Sequence, residues 1–447
     1  MEQLTGKRVL IAGLGATGWS CVRHLHGRGA ELVVTDTREQ PPCLEDLQRD
    51  FPRIETRLGR DDAGLLDGVD MLVVSPGVDL RLPYLLEAKQ RRLPVLGDIE
   101  LFAEEVRAPV VAITGSNGKS TVTTLVAEMA RAAGLRMAVG GNIGTPALDL
   151  LDADTELYVL ELSSFQLELT NSLKPAAAVA LNVSADHIDR HGSVEHYAAL
   201  KTSIYRGIGV AVVNRDDPLA QPILDPQRPC IRFGLGTPKA ENDYGILGQS
   251  GEQALARGEQ VLLPLSEMRI HGLHNASNAL AALALGEAVG LPQDSMLNVL
   301  REFGGLPHRC QWVAEIDGVN WYNDSKGTNT GATLAALKGL PGPIVLLAGG
   351  QAKDADFSAW KSVLAEKARA VILFGEDADN IAKDIEFSQQ KRASNLQEAV
   401  QIAAELAQEG DAVLLSPGCA SFDQFKGFAD RGEQFMAAVR ELDACSA

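Results

Sequence analysis

The stretch Val110-Val111-Ala112-Ile113-Thr114-Gly115-Ser116-Asn117-Gly118-Lys119-Ser120-Thr121 decides the fold, because an apolar run empties into a glycine-punctuated loop ending in Gly-Lys-Ser-Thr. Residues 121–133, rich in Val, Leu and Ala, predict a helix directly behind that loop. Strand, glycine loop and helix together make phosphate-binding hardware. Glycines let backbone N–H groups turn inward on an anion, and the new helix points its positive dipole end at the same spot. Lys119 is then placed for the β/γ-phosphates, and a hydroxyl of Ser120 or Thr121 for Mg²⁺. The full Walker pattern carries another glycine where Ile113 stands, so this loop is a shorter variant. A glycine-rich turn with a solvated lysine is the plainer alternative.

Upstream, the first hundred residues alternate strand, turn and helix. The strand Arg8–Ala12 runs into Gly13-x-Gly15-x-x-Gly18, a helix follows to about Arg28, and a second strand ends at Asp36. Glycines at that spacing admit a pyrophosphate, and the acid takes a ribose hydroxyl, so the fingerprint by itself says NAD. The same geometry suits any nucleoside diphosphate, with Thr37 and Arg38 adding donors, and a ligand-free βαβ turn also stays open. A further strand over 71–74 ends at Ser75-Pro76-Gly77.

Downstream, strands are predicted over 156–161 and 176–182, loops around a small β element over 237–260, and helices over about 275–289 and up to Phe303. Gly304-Gly305-Leu306-Pro307 reads as a linker. The last segment is again α/β, with strands over 343–348, 370–374 and 412–415, each running into a glycine turn. At 447 residues the chain is too long for one core, and about 150 residues per domain gives roughly three. The fold class is therefore α/β in three units, with no sequence repeat among them.

The bulk numbers exclude several function classes. A formal charge of -18 repels nucleic acid and anionic membranes, so neither is expected as a partner. No apolar run approaches the ~20 residues of a membrane helix. The N-terminus passes directly into a strand, which leaves no room for a signal peptide and makes a cytoplasmic location the expectation. Six scattered cysteines without a CxxC pair argue against zinc and, in a reducing compartment, against disulfides.

Glu161 follows a strand in Glu161-Leu162-Ser163-Ser164-Phe165-Gln166, where a carboxylate can face Mg²⁺ on phosphates. His187 and His191 stand i, i+4 in Asp186-His187-Ile188-Asp189-Arg190-His191, yet lack the HExxH or cysteine context of zinc. Lys201 reads as an ordinary helix lysine. The third segment offers Asn323-Asp324-Ser325-Lys326-Gly327-Thr328-Asn329, Gly349-Gly350-Gln351-Ala352-Lys353-Asp354 and Ser416-Pro417-Gly418-Cys419-Ala420-Ser421, all dense in donors and small residues.

In combination with Gly141-Asn142-Ile143-Gly144, His274-Asn275-x-x-Asn278-Ala279 and Leu306-Pro307-His308-Arg309, these motifs resemble the ATP-dependent Mur ligases of peptidoglycan synthesis. The resemblance covers essentially the whole chain, and the third-segment motifs look like the branch that adds D-glutamate. It implies a Rossmann-like UDP-substrate domain over 1–97, a central P-loop ATPase-type domain over 98–304 and a Rossmann-like amino-acid domain over 305–447. It implies ATP-dependent ligation of D-glutamate to UDP-N-acetylmuramoyl-L-alanine through an acyl phosphate, by a chain acting as a monomer with two Mg²⁺ ions.

Carried over by position, Lys119, Glu161, His187 and Lys201 are catalytic. Ser120, Glu161, His187 and Lys201 hold metal, with Lys201 carbamylated so that an ammonium becomes a carboxylate. Gly115, Ser116, Asn117, Gly118, Lys119, Ser120, Thr121, Asn275, Asn278, Arg309, Asp324 and Lys326 fall on the ATP side. Ala16, Thr17, Asp36, Thr37, Arg38, Ser75, Gly77 and Asn142 fall on the UDP-substrate side. Thr328, Lys353, Ser421 and Phe428 form the D-glutamate pocket. Gly327 stands where alanine is common in the family, and Asp324-Ser325-Lys326 occupies the place of the Asp-Tyr-x-His motif expected of a diaminopimelate or lysine adder. A nicotinamide-dependent oxidoreductase and a non-catalytic ATP-binding module are the rivals of other classes.

Overall fold

Continuous runs of Val, Ile, Leu and Ala become the inner strands of three sheets in a computed structural model that describes residues 4–249, 252–270, 272–340, 342–352 and 355–446. The first sheet contains β1 (Arg8–Ala12), β2 (Glu31–Asp36), β3 (Glu55–Leu58), β4 (Met71–Val74) and β5 (Val95–Leu96) in the order β3-β2-β1-β4-β5. Every pairing is parallel. Chain order reverses at β1, whose neighbours are β2 and β4, so the crevice beyond its carboxyl end is the switch point where such sheets bind ligands. Gly18 lets the helix Ala16–Gly27 lie against the turn, since a Cβ there would stand 1.8 Å from the Gly13 carbonyl oxygen. The edge strand β3 has no apolar run, being Glu-Thr-Arg-Leu, and is not foreseen from the sequence.

The second sheet contains β6 (Val110–Thr114), β7 (Met137–Gly141), β8 (Leu157–Glu161), β9 (Ala177–Ala180), β10 (Val210–Asn214), β11 (Cys230–Phe233), β12 (Tyr244–Leu247), β13 (Ala254–Arg257) and β14 (Gln260–Pro264). Their order is β14-β13-β12-β11-β10-β9-β6-β8-β7. β6 lies between β8 and β9 with Ile113 opposite both Glu161 and Val179, which brings the phosphate loop, Glu161 and Asn182 to one end of the sheet. The segment expected as loops around a small β element extends this sheet: β12 pairs with β11 in parallel and with β13 in antiparallel, burying Tyr244, Ile246 and Leu255.

The first two sheets, with residues 278–299, belong to one compact unit, and the third sheet, with residues 264–277, to another. In the first unit a single apolar cluster runs from Val9 and Ile11 through Phe102 to Tyr158 and Leu160. Phe102 is wholly buried, edge-on to Tyr158 at 5.3 Å between ring centroids. Truncating such a ring to alanine costs about 3–5 kcal/mol.

The third sheet contains β15 (Gln311–Ile316), β16 (Val319–Asn323), β17 (Ile344–Gly349), β18 (Ala368–Phe374), β19 (Gln390–Arg392) and β20 (Ala412–Leu415), ordered β15-β16-β20-β17-β18-β19. All pairs are parallel except the edge hairpin β15–β16, which the sequence reading passes over because polar residues interrupt it. The loops after β16, β17 and β20 leave from carboxyl ends of parallel strands. The helix Phe428–Ser446 packs Phe435, Met436 and Val439 onto this sheet. Among the described residues no helix is long and apolar enough to cross a membrane.

Candidate functional site

The phosphate loop takes the shape its glycines allow. Gly118 caps the helix Lys119–Ala132 at φ +83°, and a Cβ there would meet Asn278 Oδ1 at 2.4 Å, so the Asn278 amide sits directly over the loop. The segment after β9 braces the loop from the side. Asn117 N donates to Asn182 Oδ1 at 2.8 Å, Asn182 Nδ2 donates back to Asn117 O at 3.0 Å, and Ser116 N donates to Asn182 O at 2.9 Å. Lys119 Nζ curls onto the carbonyls of Gly115 at 2.9 Å and Ser116 at 3.0 Å.

Lys201, on the helix Val194–Thr202, is wholly buried and donates to the same Gly115 carbonyl at 2.8 Å, with its ammonium over the Tyr197 ring. Burial first, and the neighbouring Lys119 charge second, hold its pKa well below the usual lysine value. Burial and a facing like charge both disfavour the ammonium form of such a lysine. Asp186 and Glu161 oppose the shift, which places both carboxylates in its field.

Glu161 is buried at the end of β8. Its Oε1 accepts from Asn142 Nδ2 at 2.6 Å, while its Oε2 is buried without a hydrogen-bond partner. A buried carboxylate oxygen lacking a partner is costly, and a cation beside the phosphates would satisfy it. Ser120 is buried in the first turn of the loop helix. His187 is 39% exposed, at φ +54° before the short helix Ile188–His191, with its ring edge-on to Phe165. His191 instead turns inward to Ser164 Oγ at 3.0 Å, and burial lowers its pKa to about 4. The two histidines thus diverge, and no cluster of three His, Cys, Asp or Glu side chains suited to a metal forms among the described residues.

A cavity of about 550 Å³ opens at the switch point of the first sheet. Ala16, Thr17, Asp36, Thr37, Arg38, Ser75, Gly77 and Asn142, the eight residues expected on the UDP-substrate side, all line it. Gln166 joins them, held by a capping box with Ser163 and donating to the buried Asp98 at 2.9 Å. Burial raises the Asp36 carboxyl, but Arg38 and the Leu14 amide pull it down further, to below its ordinary value. Asp36 Oδ1 accepts from Arg38 N and Nε, and Oδ2 from Leu14 N and Arg38 Nη2. About four lone-pair positions serve a carboxylate, and all are taken. The acid of the fingerprint therefore clamps Arg38 rather than chelating the ribose of a nicotinamide cofactor.

In the second unit, Asp324 is buried after β16. It accepts from Ser416 Oγ at 2.7 Å and Cys310 N at 3.1 Å, and burial raises its pKa to about 6. Gly327 has a local reason: a Cβ there would stand 2.6 Å from Asp324 Oδ2 and 2.8 Å from Ser416 Oγ. Lys326 Nζ lies 3.7 Å over the centroid of the Phe428 ring, a cation–π pair that joins the expected phosphate lysine to the expected amino-acid pocket. Ser421 is buried and Thr328 exposed, Arg309 lies in the field of Asp324, and Asn275 opens the helix Leu273–Ala288. Lys353 lies outside the described residues.

Sequence reasoning misses Arg190, whose guanidinium donates to Asp79 and Glu168 at 2.8 Å each, tying the loop after β4 to the segment bearing His187. Nothing in Asp189-Arg190-His191 signals that reach.

Family models described as the Mur ligase MurD-like N-terminal domain, the Mur ligase middle domain and the Mur ligase glutamate ligase domain match residues 7–97, 113–286 and 308–419. The chain belongs to the Mur ligase family. It is 52% identical over 440 residues to the UDP-N-acetylmuramoylalanine–D-glutamate ligase of Nitrosococcus oceani, covering 98% of this chain and 97% of that protein. It is 53% identical to the ligase of the same name from Pseudomonas aeruginosa, covering 97% and 98%. The fold matches the Mur ligase UDP-N-acetylmuramate-alanine ligase MurC from Thermotoga maritima with a TM-score of 0.61 at 18% identity, covering 97% and 99%. MurF from Acinetobacter baumannii gives the same TM-score and identity, covering 98% and 92%. Those structures support the three-domain α/β architecture of a Mur ligase.

Proposed function

We propose that this Mur ligase joins D-glutamate to UDP-N-acetylmuramoyl-L-alanine with conversion of ATP to ADP and phosphate. One observation carries the reading: the switch-point cavity ends at Asn142, whose amide is bonded to Glu161 beside the phosphate loop. A substrate anchored by its nucleotide in such a cavity presents its far carboxylate to the γ-phosphate. The near-full-length likeness to ligases of that name supports the choice of amino acid. We place the domain boundaries at 97/98 and 304/305 to match this division of labour.

The carboxylate of the alanyl end attacks the γ-phosphorus, and ADP departs. The amine of D-glutamate then attacks the acyl carbon, losing a proton as the C–N bond forms, and the tetrahedral intermediate expels phosphate. Positioning and charge neutralisation carry both steps. Lys119 offsets the charge of the moving phosphoryl group, and Asn278 and Asn117 help fix the loop. Asn142 orients the substrate carboxylate, with Thr328, Ser421, Phe428 and Lys353 assigned to D-glutamate and Arg309, Asp324, Lys326 and Asn275 to the nucleotide. Ser120 and Glu161 would hold one Mg²⁺, and His187 with Lys201 a second, supplying positive charge to the phosphates.

A lysine whose ammonium form is disfavoured suits carbamylation: its free-base form takes up CO₂ to give N–COO⁻ and releases a proton. That change removes one of two facing lysine charges and supplies a metal-binding carboxylate. Intact-mass analysis of active enzyme should find the added mass of one CO₂, lost together with activity in Lys201→Ala. We further assign a cytoplasmic monomer.

Phosphate release from ATP and Mg²⁺ with UDP-N-acetylmuramoyl-L-alanine tests the whole reading. Release that requires D-glutamate, and is absent with L-glutamate, L-lysine or diaminopimelate, is the expected result. Release with another amino acid would retain the ligase and discard the substrate.

A further inference from the structure

The helix Phe428–Ser446 carries a charged side chain that the reaction above does not use. Arg431, in its first turn, is 0% exposed. Its Nε donates to Ser325 Oγ and its Nη2 to Ser325 O, both at 2.9 Å. Both Nη1 and Nη2 reach the Cys419 carbonyl at 3.2 Å, with the carbonyls of Gly349 and Ala420 at 3.5 Å from Nη1. One planar fork therefore ties the loops that follow β16 and β20 to each other and to the last residue of β17.

Each of these acceptors is a neutral oxygen, and the carboxylates of Asp423 and Asp324 lie in the field of the guanidinium. Burying a guanidinium costs several kcal/mol, and carbonyl dipoles only partly offset it. Burial lowers its pKa, but only to about 10, so it remains a cation at neutral pH. Local packing adds to the constraint. Ser325 Oγ donates its own hydrogen bond to the Phe428 carbonyl at 2.8 Å, and a Cβ at Gly432 would stand 2.2 Å from His308 Nδ1, so this turn fits closely against the loops.

We propose that Arg431 is the positioning residue of the amino-acid pocket: it holds the loops bearing Thr328 and Ser421 in one arrangement, so that the groups facing the amino acid are fixed before it binds. The inference rests on assigning those loops to the amino acid. Removing the fork should loosen both loops together and weaken binding of D-glutamate, while leaving the UDP-substrate cavity intact.

Three full-length variants separate these effects. Ser325→Ala deletes one acceptor and leaves the arginine, Arg431→Lys keeps the charge without the fork, and Arg431→Met removes both. The KM for D-glutamate should rise about tenfold in Ser325→Ala and Arg431→Lys and about a hundredfold in Arg431→Met, with the KM for the UDP substrate, whose cavity belongs to the first unit, within about twofold. Amide hydrogen exchange should quicken in residues 323–329 and 416–421 of each variant and stay unchanged in β17 and β18. Equal changes in the KM values for D-glutamate and the UDP substrate, or exchange that is unaltered or raised throughout the unit, would overturn the proposal. Wild-type enzyme without D-glutamate-dependent phosphate release would overturn the ligase reading instead, and exchange in the variants would still decide whether Arg431 orders the loops.

Discussion

Asp98 shows how a single buried carboxyl sets a pH dependence. It is 2% exposed, its Oδ2 accepts from Gln166 while its Oδ1 has no partner, and burial raises its pKa from 3.8 to about 6. A raised folded-state value means that the native protein keeps a proton the unfolded chain releases between those pH values. Stability contributed at low pH is then lost as pH rises through about 6, by up to about 3 kcal/mol. Asp98→Asn stays neutral throughout, so its advantage over the wild type should be about 1 kcal/mol at pH 4.5, where the unfolded chain is already mostly ionised, and about 3 kcal/mol at pH 7.5. Urea unfolding at both pH values checks this, and a variant offset that is the same at both would refute it. Single residues were the hardest scale to read from sequence. Lys119 announces itself through its glycines, whereas Lys201 and Arg431 look like ordinary helix cations, because what distinguishes them is burial against distant carbonyls.

At the scale of elements, glycine and apolar patterning made most of the architecture legible. Inner strands such as β6, β17 and β20 are buried along their whole length and read as continuous apolar runs, as parallel sheets require. Edge strands β3 and β15 carry exposed charge and escape that signal. The phosphate loop was legible for a stricter reason, since only glycine tolerates what position 118 demands. An alanine there faces both a left-handed backbone, costing about 1–2 kcal/mol, and contact with Asn278. Gly118→Ala should therefore raise the KM for ATP and cut kcat/KM by on the order of a hundredfold, since a misplaced loop misaligns the phosphoryl group. Its Tm should fall by only a few degrees. Nearly unchanged ATP kinetics would show that the loop does not cradle the triphosphate.

At the scale of the whole molecule, composition and site chemistry pull in opposite directions. A net charge of -18 disfavours an anionic substrate at long range, so binding of a UDP group depends on donors focused in its cavity, chiefly Arg38 and the amides of the glycine turn. Because the chain forms two compact units and the switch-point cavity belongs wholly to the first, UDP should stabilise that unit selectively. At a hundredfold excess over its Kd, a ligand adds about 2.7 kcal/mol to the unit that binds it, a rise of about 5–10 °C in that unit's transition. Calorimetry can assign the transitions independently, since Phe102→Ala removes a core ring from the first unit and lowers that transition alone. UDP should then raise the transition that Phe102→Ala lowers, and Arg38→Met should abolish that rise relative to the variant's own ligand-free transition. A shift confined to the other transition would place the UDP group outside the switch-point cavity, and the same shift with NADH as with UDP would restore the dinucleotide reading that the saturated Asp36 carboxylate argues against.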